Sequence, residues 1–465
     1  IDPCIYYPSQ IYHKKYYQSR SSVLNTNATF ISDWVQKFNL IELFDWTWYR
    51  NGDYEKYLEI KNSNENKDDD DDQQPIVVNN VKQYLSSYPK QGFIVEDFVQ
   101  LQNPLLHPMP LSRNFSSTCQ ELNIVNTWHS CLFNSTELSH RLPGTTHVVT
   151  IAIFNAFIDN GLCHKDVVGT VYTKLATYRF QRYSTKTCHN SLIIPHPNLK
   201  VEYHDELLNS LGMYLNAPGH FAPQQLPHLL RLLALTSNKI KLLVAKGGIA
   251  DQFIDILIER QIIKREHIVQ YDPTNIYYAK VVYQTDSWPY LPCYLYEKYL
   301  HDRTDMILTH RVIVERELPD EQRNLIVVIK RTKRARRVNN HDKIIDLIEK
   351  LLEEHSQPQF KISIFTAEGH LKEHIELFKR ARLVIAPHGA GLFNVMWCKP
   401  DGTDIVEIGY SSGMKLPEMY FEIASHLNLT YWLVKGTGNY AGPINVDLDD
   451  LEWALKRIFK KFKNV

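Results

Sequence analysis

The residues with the clearest chemical potential lie at 382–394, where an apolar run ends in Pro-His-Gly-Ala-Gly and a helix-like segment follows. This pattern is typical of a buried parallel strand that delivers a tight turn and a helix N-terminus to a binding crevice. Glycines such as Gly389 and Gly391 let backbone amides approach a ligand, and a helix N-terminus favours an anion. His388 stands where the strand stops and can donate to phosphate. The segment therefore predicts a nucleotide or phosphate site.

A second candidate for anion binding is the basic run Lys-Arg-Thr-Lys-Arg-Ala-Arg-Arg-Val-Asn-Asn at 330–340. It follows an apolar run, and ligands bind at the carboxyl edge of an open α/β sheet. Each Arg offers a rigid fork that matches diphosphate oxygens bidentately. A solvated basic loop or a nuclear-targeting signal is the competing interpretation of an isolated run of cations. The position of this run after a strand favours the diphosphate.

Two further side chains lie where a ligand could be reached. Glu407 ends the strand after the glycine turn, where a carboxylate can accept ribose hydroxyls. A salt-bridged or helix-capping role fits Glu407 equally well. His220, in the run 216–231, precedes a proline-initiated helix. If the chain forms two domains with a ligand cleft between them, we expect His220 on the N-terminal domain's side of that cleft. A core or capping histidine is the competing interpretation of His220.

The elements that must position these residues alternate in type through the last third of the chain. The predicted strands are 324–330, 360–366, 383–386, 404–409 and 430–434, and the predicted helices are 342–354, 370–380, 416–427 and 448–462. Alternation with short connections predicts a doubly wound parallel sheet with right-handed crossovers.

The earlier part of the chain contains a second, less regular α/β series. It is β-rich from about 147 and then predicts a helix at 226–235, a strand at 239–245, a helix at 251–263 and a strand at 267–271. A chain of 465 residues is too long for one ordinary core. Two domains are therefore predicted, with the crossover in the irregular segment 277–322. The predicted fold class is α/β, with two Rossmann-type domains facing a cleft and a β-rich N-terminal elaboration.

Composition narrows the classes of function. The formal net charge is zero, which argues against attraction of the whole protein to nucleic acid or anionic lipid. No apolar run reaches the ~18 residues of a transmembrane helix. The start at Ile1 leaves room for a signal peptide or an N-terminal membrane anchor upstream. An acidic run at 62–74 is predicted to be a disordered, solvated loop, because like charges repel one another.

Cysteines and glycosylation sequons favour the lumen of the secretory pathway. Five of the seven Cys precede residue 190, which suits one or two disulfides with at least one thiol left over. The candidate N-glycosylation sites are Asn27, Asn114, Asn134 and Asn428.

The runs at 216–231, 330–340 and 382–394 occur in this order along the chain. Together they resemble glycosyltransferase family 61 over roughly residues 200–435. Family sequences read His-Trp-Leu-Leu-(acid)-x-Leu-Pro-Arg-Leu, and this chain has His-Phe-Ala-Pro-Gln-Gln-Leu-Pro-His-Leu at 220–229. They continue with Ser-Arg and Arg-x-x-Asn, matched here by Lys330-Arg331 and by 337–340. They end with His-Gly-Ala-Gly-Leu-x-Asn and Val-x-Glu, matched at 388–394 and, without the spacer residue, at 406–407.

The chain departs from the family pattern at three positions. Gln224 stands where many members carry Asp or Glu, which weakens any assignment of that acid as the catalytic base. His228 replaces an Arg, and His374 replaces a Gln.

The resemblance implies a two-domain, GT-B-like inverting glycosyltransferase. It implies a UDP-sugar donor, either UDP-xylose or UDP-N-acetylglucosamine. It implies no tightly bound cofactor, and metal is not expected to be required because no Asp-x-Asp motif lies at a suitable strand end. The residues expected to bind the donor are Arg331, Arg337, Asn340, His388, Gly389, Ala390, Gly391, Leu392, Asn394 and Glu407. His220 is the candidate general base that deprotonates the acceptor.

The expected acceptor is a hydroxyl of a glycan or glycoprotein in the endoplasmic reticulum or Golgi lumen, with the enzyme a type II membrane protein or a secreted form. The expected domains are an acceptor-side domain at 1–300, a nucleotide-sugar-binding domain at 301–447 and a closing helix at 448–465. An inactive glycan- or nucleotide-binding protein of the same fold is the alternative, supported by Gln224. A nucleic-acid binder that uses 330–337 is disfavoured by the zero net charge and the sequons, so no nucleic acid partner is expected.

Overall fold

A computed structural model of the chain describes its secondary structure in most of the C-terminal half and in parts of the N-terminal half. The described residues are 93–95, 111–113, 118, 121–122, 149–158, 162–163, 166–167, 169, 171–172, 177–178, 200–211, 217–235, 240–272, 274–286, 303–414, 416–417 and 419–462. The acidic run 62–74 lies outside them.

The described residues fall into two compact units. The N-terminal unit comprises the described residues within 1–101, 146–217 and 224–296. The C-terminal unit comprises those within 102–145, 218–223 and 297–465. His220 therefore groups with the C-terminal unit, whereas the sequence-based boundary at 300 assigned it to the other domain. The closing helix also belongs to the C-terminal unit.

The N-terminal unit contains a mixed sheet. Its strands are β1 (Phe93–Val95), β2 (Val149–Ile158), β5 (Val171–Tyr172), β6 (Thr177–Tyr178), β7 (Lys200–Asn209), β8 (Lys241–Val244), β9 (Ile268–Gln270) and β10 (Asn275–Asp286), and a separate hairpin is formed by β3 (Leu162–Cys163) and β4 (Asp166–Val167). Its helices are α1 (Leu226–Leu235) and α2 (Gly248–Glu259).

Four parallel strands of this sheet have the order β9-β8-β7-β10. This is the 3-2-1-4 order of a Rossmann half, in which α1 and α2 are the crossovers between β7, β8 and β9. Strands β2, β5 and β6 continue the sheet beyond β10 in antiparallel pairing. The strand β10 was missed by sequence analysis, which treated 277–322 as irregular. Its buried Tyr277, Val281 and Tyr283 are nevertheless typical strand residues.

The C-terminal unit contains a five-stranded parallel sheet. Its strands are β11 (Leu325–Ile329), β12 (Lys361–Phe365), β13 (Ala381–Pro387), β14 (Asp404–Ile408) and β15 (Thr430–Val434), followed by the hairpin β16 (Gly436–Gly438) and β17 (Ile444–Val446). Its helices are α3 (Arg303–Val314), α4 (His341–Glu354), α5 (Leu371–Lys379), α6 (Met419–His426) and α7 (Leu448–Phe462). The bounds of the five parallel strands and of α4 to α7 differ from the predicted ones by only a few residues. The hairpin and α3 were not predicted from the sequence.

The core of this unit explains its element boundaries. Strands β11, β13 and β14 are buried at every position, as expected for central parallel strands with both faces covered. Helix α4 buries His341, Ile344, Ile348 and Leu351, a spacing of three or four residues that forms one apolar face. Asp447 Oδ1 accepts from the backbone amides of residues 449 and 450 at the start of α7, so this carboxylate caps the closing helix.

Both units combine parallel strands with helices, which confirms the predicted α/β class. The GT-B-like pairing of the two units stays a prediction. Among the described residues, no helix is both long and apolar enough to cross a membrane.

Candidate functional site

The order of the C-terminal sheet brings the two predicted anion-binding segments together. The strands lie in the order β12-β11-β13-β14-β15, and β11 pairs directly with β13. In this 2-1-3-4-5 order the chain turns to opposite sides after β11 and β13, so a ligand crevice opens between their carboxyl ends. The basic loop 330–340 leaves β11 at this point, and the glycine turn leaves β13 beside it.

The glycine turn connects β13 to a 3₁₀ helix at Ala390–Trp397. The His388 amide donates to the Ile408 carbonyl over 3.1 Å, which continues the pairing of β13 with β14. Gly389 has a φ of 154°, and the Leu392 amide donates to its carbonyl over 2.9 Å. The amides of Ala390 and Gly391 precede this first helical hydrogen bond, so they are free of the helix's own ladder and can serve an anion.

Arg331 lies directly over the turn. A methyl group on Gly389 would overlap Arg331 Nη1, so glycine is required for this approach. Arg331 Nε donates to the Ala335 carbonyl over 2.8 Å, which fixes the guanidinium plane. Burial lowers the pKa of Arg331, and the nearby charge of Arg336 lowers it further. The guanidinium is thus partly desolvated and lies beside a like charge.

Arg336 is a site residue that the sequence analysis did not single out. Its Nε donates to the His388 carbonyl over 2.9 Å, and its Nη1 donates to the Tyr440 carbonyl over 3.1 Å. The guanidinium carbon also lies 4.1 Å from the centroid of the Tyr440 ring. The residue adopts a left-handed φ of 54°. The predicted donor residue was its neighbour Arg337, which belongs to the same basic run.

The two guanidiniums give this part of the site an excess of positive charge. Neither Arg331 nor Arg336 forms an ion pair with a carboxylate of the described residues, and their protein acceptors are neutral carbonyls. A pair of partly buried cations without a counter-ion is a preorganised environment for an anion.

His388 is held by a chain of hydrogen bonds that crosses three neighbouring strands. Its Nδ1 lies 2.5 Å from Glu407 Oε1, and Glu407 Oε2 accepts from the Tyr431 hydroxyl over 2.5 Å. Glu407 is fully buried, with 0% of its side chain exposed. The His388 ring also packs against the rings of Tyr420 and Tyr410, at centroid distances of 5.3 and 5.9 Å. Both carboxylate oxygens of Glu407 are therefore engaged by side chains of the protein.

Three other predicted donor residues occupy different surroundings. Arg337 is exposed. Asn340 Nδ2 donates to the Val446 carbonyl and its Oδ1 accepts from the Val446 amide, so this side chain ties the basic loop to β17. Asn394 is buried and donates to the Gly391 carbonyl over 3.0 Å, within the 3₁₀ helix.

Leu392 and Gly391 pack the glycine turn against the rest of the unit. Leu392 is fully buried. A methyl group on Gly391 would lie 3.0 Å from Ile329 Cγ2, so the small residue lets the turn approach the end of β11. The exposed Ala390 is the outermost side chain of the turn.

His220, the candidate base, lies on the short helical turn Pro218–His220 in the C-terminal unit. The preceding Gly219 is so close to the glycine turn that a methyl group on it would lie 3.0 Å from both Cα and Cβ of Ala390. The same methyl would lie 3.5 Å from the Tyr420 hydroxyl. The half-buried His220 is thus one residue away from a direct backbone contact with the predicted anion site.

The remaining predicted features are spread over the chain. Asn428 is exposed at the turn before β15, whereas Asn27, Asn114 and Asn134 lie outside the described residues. Cys398 is a free, buried thiol whose pKa is raised to about 12 by burial. Within the described ranges, no group of three or more His, Cys, Asp or Glu could hold a metal ion.

A comparison with protein families finds one model that matches this chain. The model described as Glycosyltransferase 61 matches residues 172–406, about half of the chain, and this span includes the basic loop and the glycine turn. A search of curated proteins finds no significant match.

Proposed function

The chain belongs to glycosyltransferase family 61, and from this premise we propose that it transfers a sugar from a UDP-sugar to a hydroxyl of a glycan or glycoprotein. The reaction is proposed to invert the anomeric centre, with the acceptor oxygen attacking opposite the leaving UDP. UDP-xylose and UDP-N-acetylglucosamine are the proposed donors. The lumen of the endoplasmic reticulum or Golgi is the proposed compartment, which the family and the sequons support.

One observation carries the proposal for the donor site. Arg331 and Arg336 approach His388 and Gly389 at the switch point of the sheet, and neither cation is neutralised by a described carboxylate. A leaving diphosphate develops negative charge as the glycosidic bond breaks, and fixed cations and amides stabilise that charge most when they need not reorganise. We propose that Arg331, His388 and the amides at the start of the 3₁₀ helix bind the diphosphate.

The same cations support a metal-independent reaction. In many sugar transferases a divalent cation neutralises the diphosphate; here Arg331 and Arg336 are proposed to supply that charge. Asp447, the first residue of the chain's Asp-Leu-Asp sequence near the C-terminus, instead caps α7.

The proposed general base is His220. Deprotonation of the acceptor requires a group with a suitable pKa within hydrogen-bond reach of the acceptor hydroxyl. His220 follows Gly219, which packs against Ala390 beside the proposed diphosphate site. Gln224, at the position where many family members carry an acid, has no carboxylate to perform this step.

The test is titration with UDP and a release assay over a panel of nucleotide sugars. We expect the wild-type protein to bind UDP and to release it from one donor in the presence of an acceptor. Arg331→Ala and His388→Ala should each weaken UDP binding roughly tenfold or more, because each removes a charge-assisted contact. Lys333→Ala is the matched control, since Lys333 is an exposed cation of the same loop.

Each part of the proposal has its own contrary result. Unchanged UDP binding and sugar transfer in Arg331→Ala or His388→Ala would show that the donor site lies elsewhere. UDP binding without turnover of any donor would favour the inactive binding protein. Complete loss of activity on chelation, with recovery on adding a divalent cation, would refute metal independence. The anomeric configuration of the product, read by NMR, decides inversion.

A further inference from the structure

A buried chain of side chains lies behind the proposed diphosphate site. Glu407 on β14 receives hydrogen bonds from His388 on one oxygen and from Tyr431 on the other. The register explains why these side chains meet. Ala386 of β13 pairs with Glu407, and His388 lies two residues further along the same face. Tyr431 of β15 pairs with residue 405, two residues before Glu407, so its side chain also shares that face.

An ionised carboxylate in this place is costly for folding. Glu407 has no exposed surface, and a buried charge destabilises a protein unless hydrogen bonds and charges compensate it. An apolar residue on a central parallel strand would fill the same position without that cost. The pairing with His388 and Tyr431 offsets the cost and imposes a defined orientation on the histidine.

The hydrogen bond to Glu407 decides which nitrogen of His388 can meet a ligand. A carboxylate only accepts hydrogen bonds, so Nδ1 carries a hydrogen, and Nε2 needs a second hydrogen to donate to an anion. The described residues give Nε2 no hydrogen-bond partner, and the side chain retains 6% exposure. The rings of Tyr420 and Tyr410 and the bond from Arg336 to the His388 carbonyl restrict the remaining freedom of the residue.

We propose that Glu407 and Tyr431 are positioning residues, which hold the His388 ring with Nδ1–H as the internal donor and leave Nε2–H, in the doubly protonated ring, to donate to an anionic oxygen of the ligand. The identity of that ligand as UDP rests on the proposed function. Glu407 itself touches no ligand and acts through His388, and Tyr431 acts through Glu407. This differs from the role that sequence analysis assigned to Glu407, which was to accept ribose hydroxyls.

The opposite face of the same two strands supplies a matched control. Asp404, three residues before Glu407 on β14, accepts from Trp432 Nε1 over 2.7 Å and from Lys461 Nζ over 3.0 Å. It is also buried and also paired with a β15 side chain, but it faces away from His388. Asp404→Asn should therefore disturb packing in a similar way without changing the histidine.

The first measurement needs no ligand. Proton NMR of protein labelled with ¹⁵N-histidine should show a strongly deshielded ring N–H signal that is missing in His388→Ala. We expect Glu407→Gln to remove or markedly shift this signal and Asp404→Asn to preserve it. Absence of the signal in the wild-type protein, or no change in Glu407→Gln, would overturn the proposal.

The second measurement is a double-mutant cycle on UDP affinity. Glu407→Gln should weaken UDP binding about tenfold, and it should have little further effect when His388 is already Ala. An additive loss in the double variant, or equal losses in Glu407→Gln and Asp404→Asn, would show a general structural role and refute positioning. Tyr431→Phe removes a single hydroxyl and should give a smaller loss in the same direction, which keeps the test available if Glu407→Gln does not fold.

The two measurements separate this inference from the proposed function. If the wild-type protein binds no UDP, the proposed donor site fails, and the NMR signal still decides whether Glu407 orients His388. If UDP binds but the histidine N–H signal is unchanged in Glu407→Gln, the positioning inference fails while the proposed donor site stands.

Discussion

Arg336 Nε donates to the carbonyl oxygen of His388 over 2.9 Å, and this bond joins the loop after β11 to the turn after β13. The same guanidinium reaches the Tyr440 carbonyl and covers its ring. One side chain thus links three loops at the carboxyl edge of the sheet. In the basic run, Arg336 thus holds loops together through two carbonyl acceptors. Arg331 donates to one carbonyl, so more of its N–H groups remain for a ligand.

The first prediction concerns the geometry of Arg336. Arg336→Lys keeps the charge but cannot bridge two carbonyls with a planar fork. We expect UDP affinity to fall about tenfold and the thermal midpoint to drop by a few degrees, because the turn at His388 loses a fixed contact. Calorimetric titration and a melting curve measure both effects. Arg334→Lys, an exposed position in the same loop, should behave as wild type; an equal loss there would contradict this assignment.

A second prediction concerns Gly389. In Gly389→Ala the new methyl group would overlap Arg331 Nη1. The alanine would also have to adopt a φ of 154°, which residues with a side chain disfavour. Displacement of Arg331 should reduce UDP affinity to about the level of Arg331→Ala, and the two changes should not be additive. Gly248→Ala is the control, since its new methyl group meets nothing within 4 Å. Wild-type affinity in Gly389→Ala would exclude the close approach of Arg331.

The contact between Gly219 and Ala390 leads to a third prediction. A methyl group on Gly219 would press on Ala390 at 3.0 Å, so Gly219→Ala should shift the segment that carries His220. Because His220 is proposed to act on the acceptor and not on the donor, we expect turnover to fall more than UDP affinity. Steady-state kinetics and UDP titration separate the two. Gly442→Ala, whose methyl group would have only an ordinary contact at 3.7 Å, should change neither quantity.

A fourth prediction concerns acid stability. A hydrogen bond from Lys399, with further contributions from Arg323 and Arg382, holds the pKa of Asp320 below its usual range. A lowered folded-state pKa means that the unfolded chain binds the proton more readily, so this contribution is present above the ordinary Asp pKa of ~3.9 and is lost as the pH falls through the lowered value. We expect Asp320→Asn to be less stable than wild type at pH ~7. Between pH ~7 and pH ~3 its melting temperature should fall by less than that of the wild-type protein.

The control for this pH series is Asp346→Asn. Asp346 is exposed on α4 and forms no ion pair with the described residues. Its acid profile should follow that of the wild-type protein. Parallel profiles for Asp320→Asn and wild type would show that the cluster around Asp320 contributes no pH dependence.

The fifth prediction concerns modification at Asn428. This residue begins an Asn-Leu-Thr sequon, is exposed and has a left-handed φ of 54° in the turn before β15. Expression through a eukaryotic secretory pathway should add a glycan that peptide-N-glycosidase removes, and Asn428→Gln should abolish that mass difference at this site. Peptide mass spectrometry makes the assignment. An unmodified Asn428 in secreted protein would argue against the proposed lumenal location.

Local patterns in the sequence were sufficient for the five strands of the parallel sheet in the C-terminal unit and for its helices α4 to α7. The runs at β11, β13, β14 and β15 are apolar because their strands are covered on both faces, and this burial is visible in the residue types alone. The strand β10 and the helix α3 were missed, because neighbouring prolines and polar residues obscured patterns that tertiary pairing stabilises.

The sequence by itself determined the family, the α/β class and the two segments that meet at the proposed anion site. Glycine, histidine and arginine in those segments carry chemistry that does not depend on knowing their neighbours. Only the tertiary structure decided the division of roles. Strand order makes β11 and β13 adjacent although about 50 residues separate them, and side-chain alternation puts His388, Glu407 and Tyr431 on one face. Burial then turns Glu407 from a possible ligand contact into a support for His388, because a carboxylate with no exposed surface can act only through the groups that bond to it.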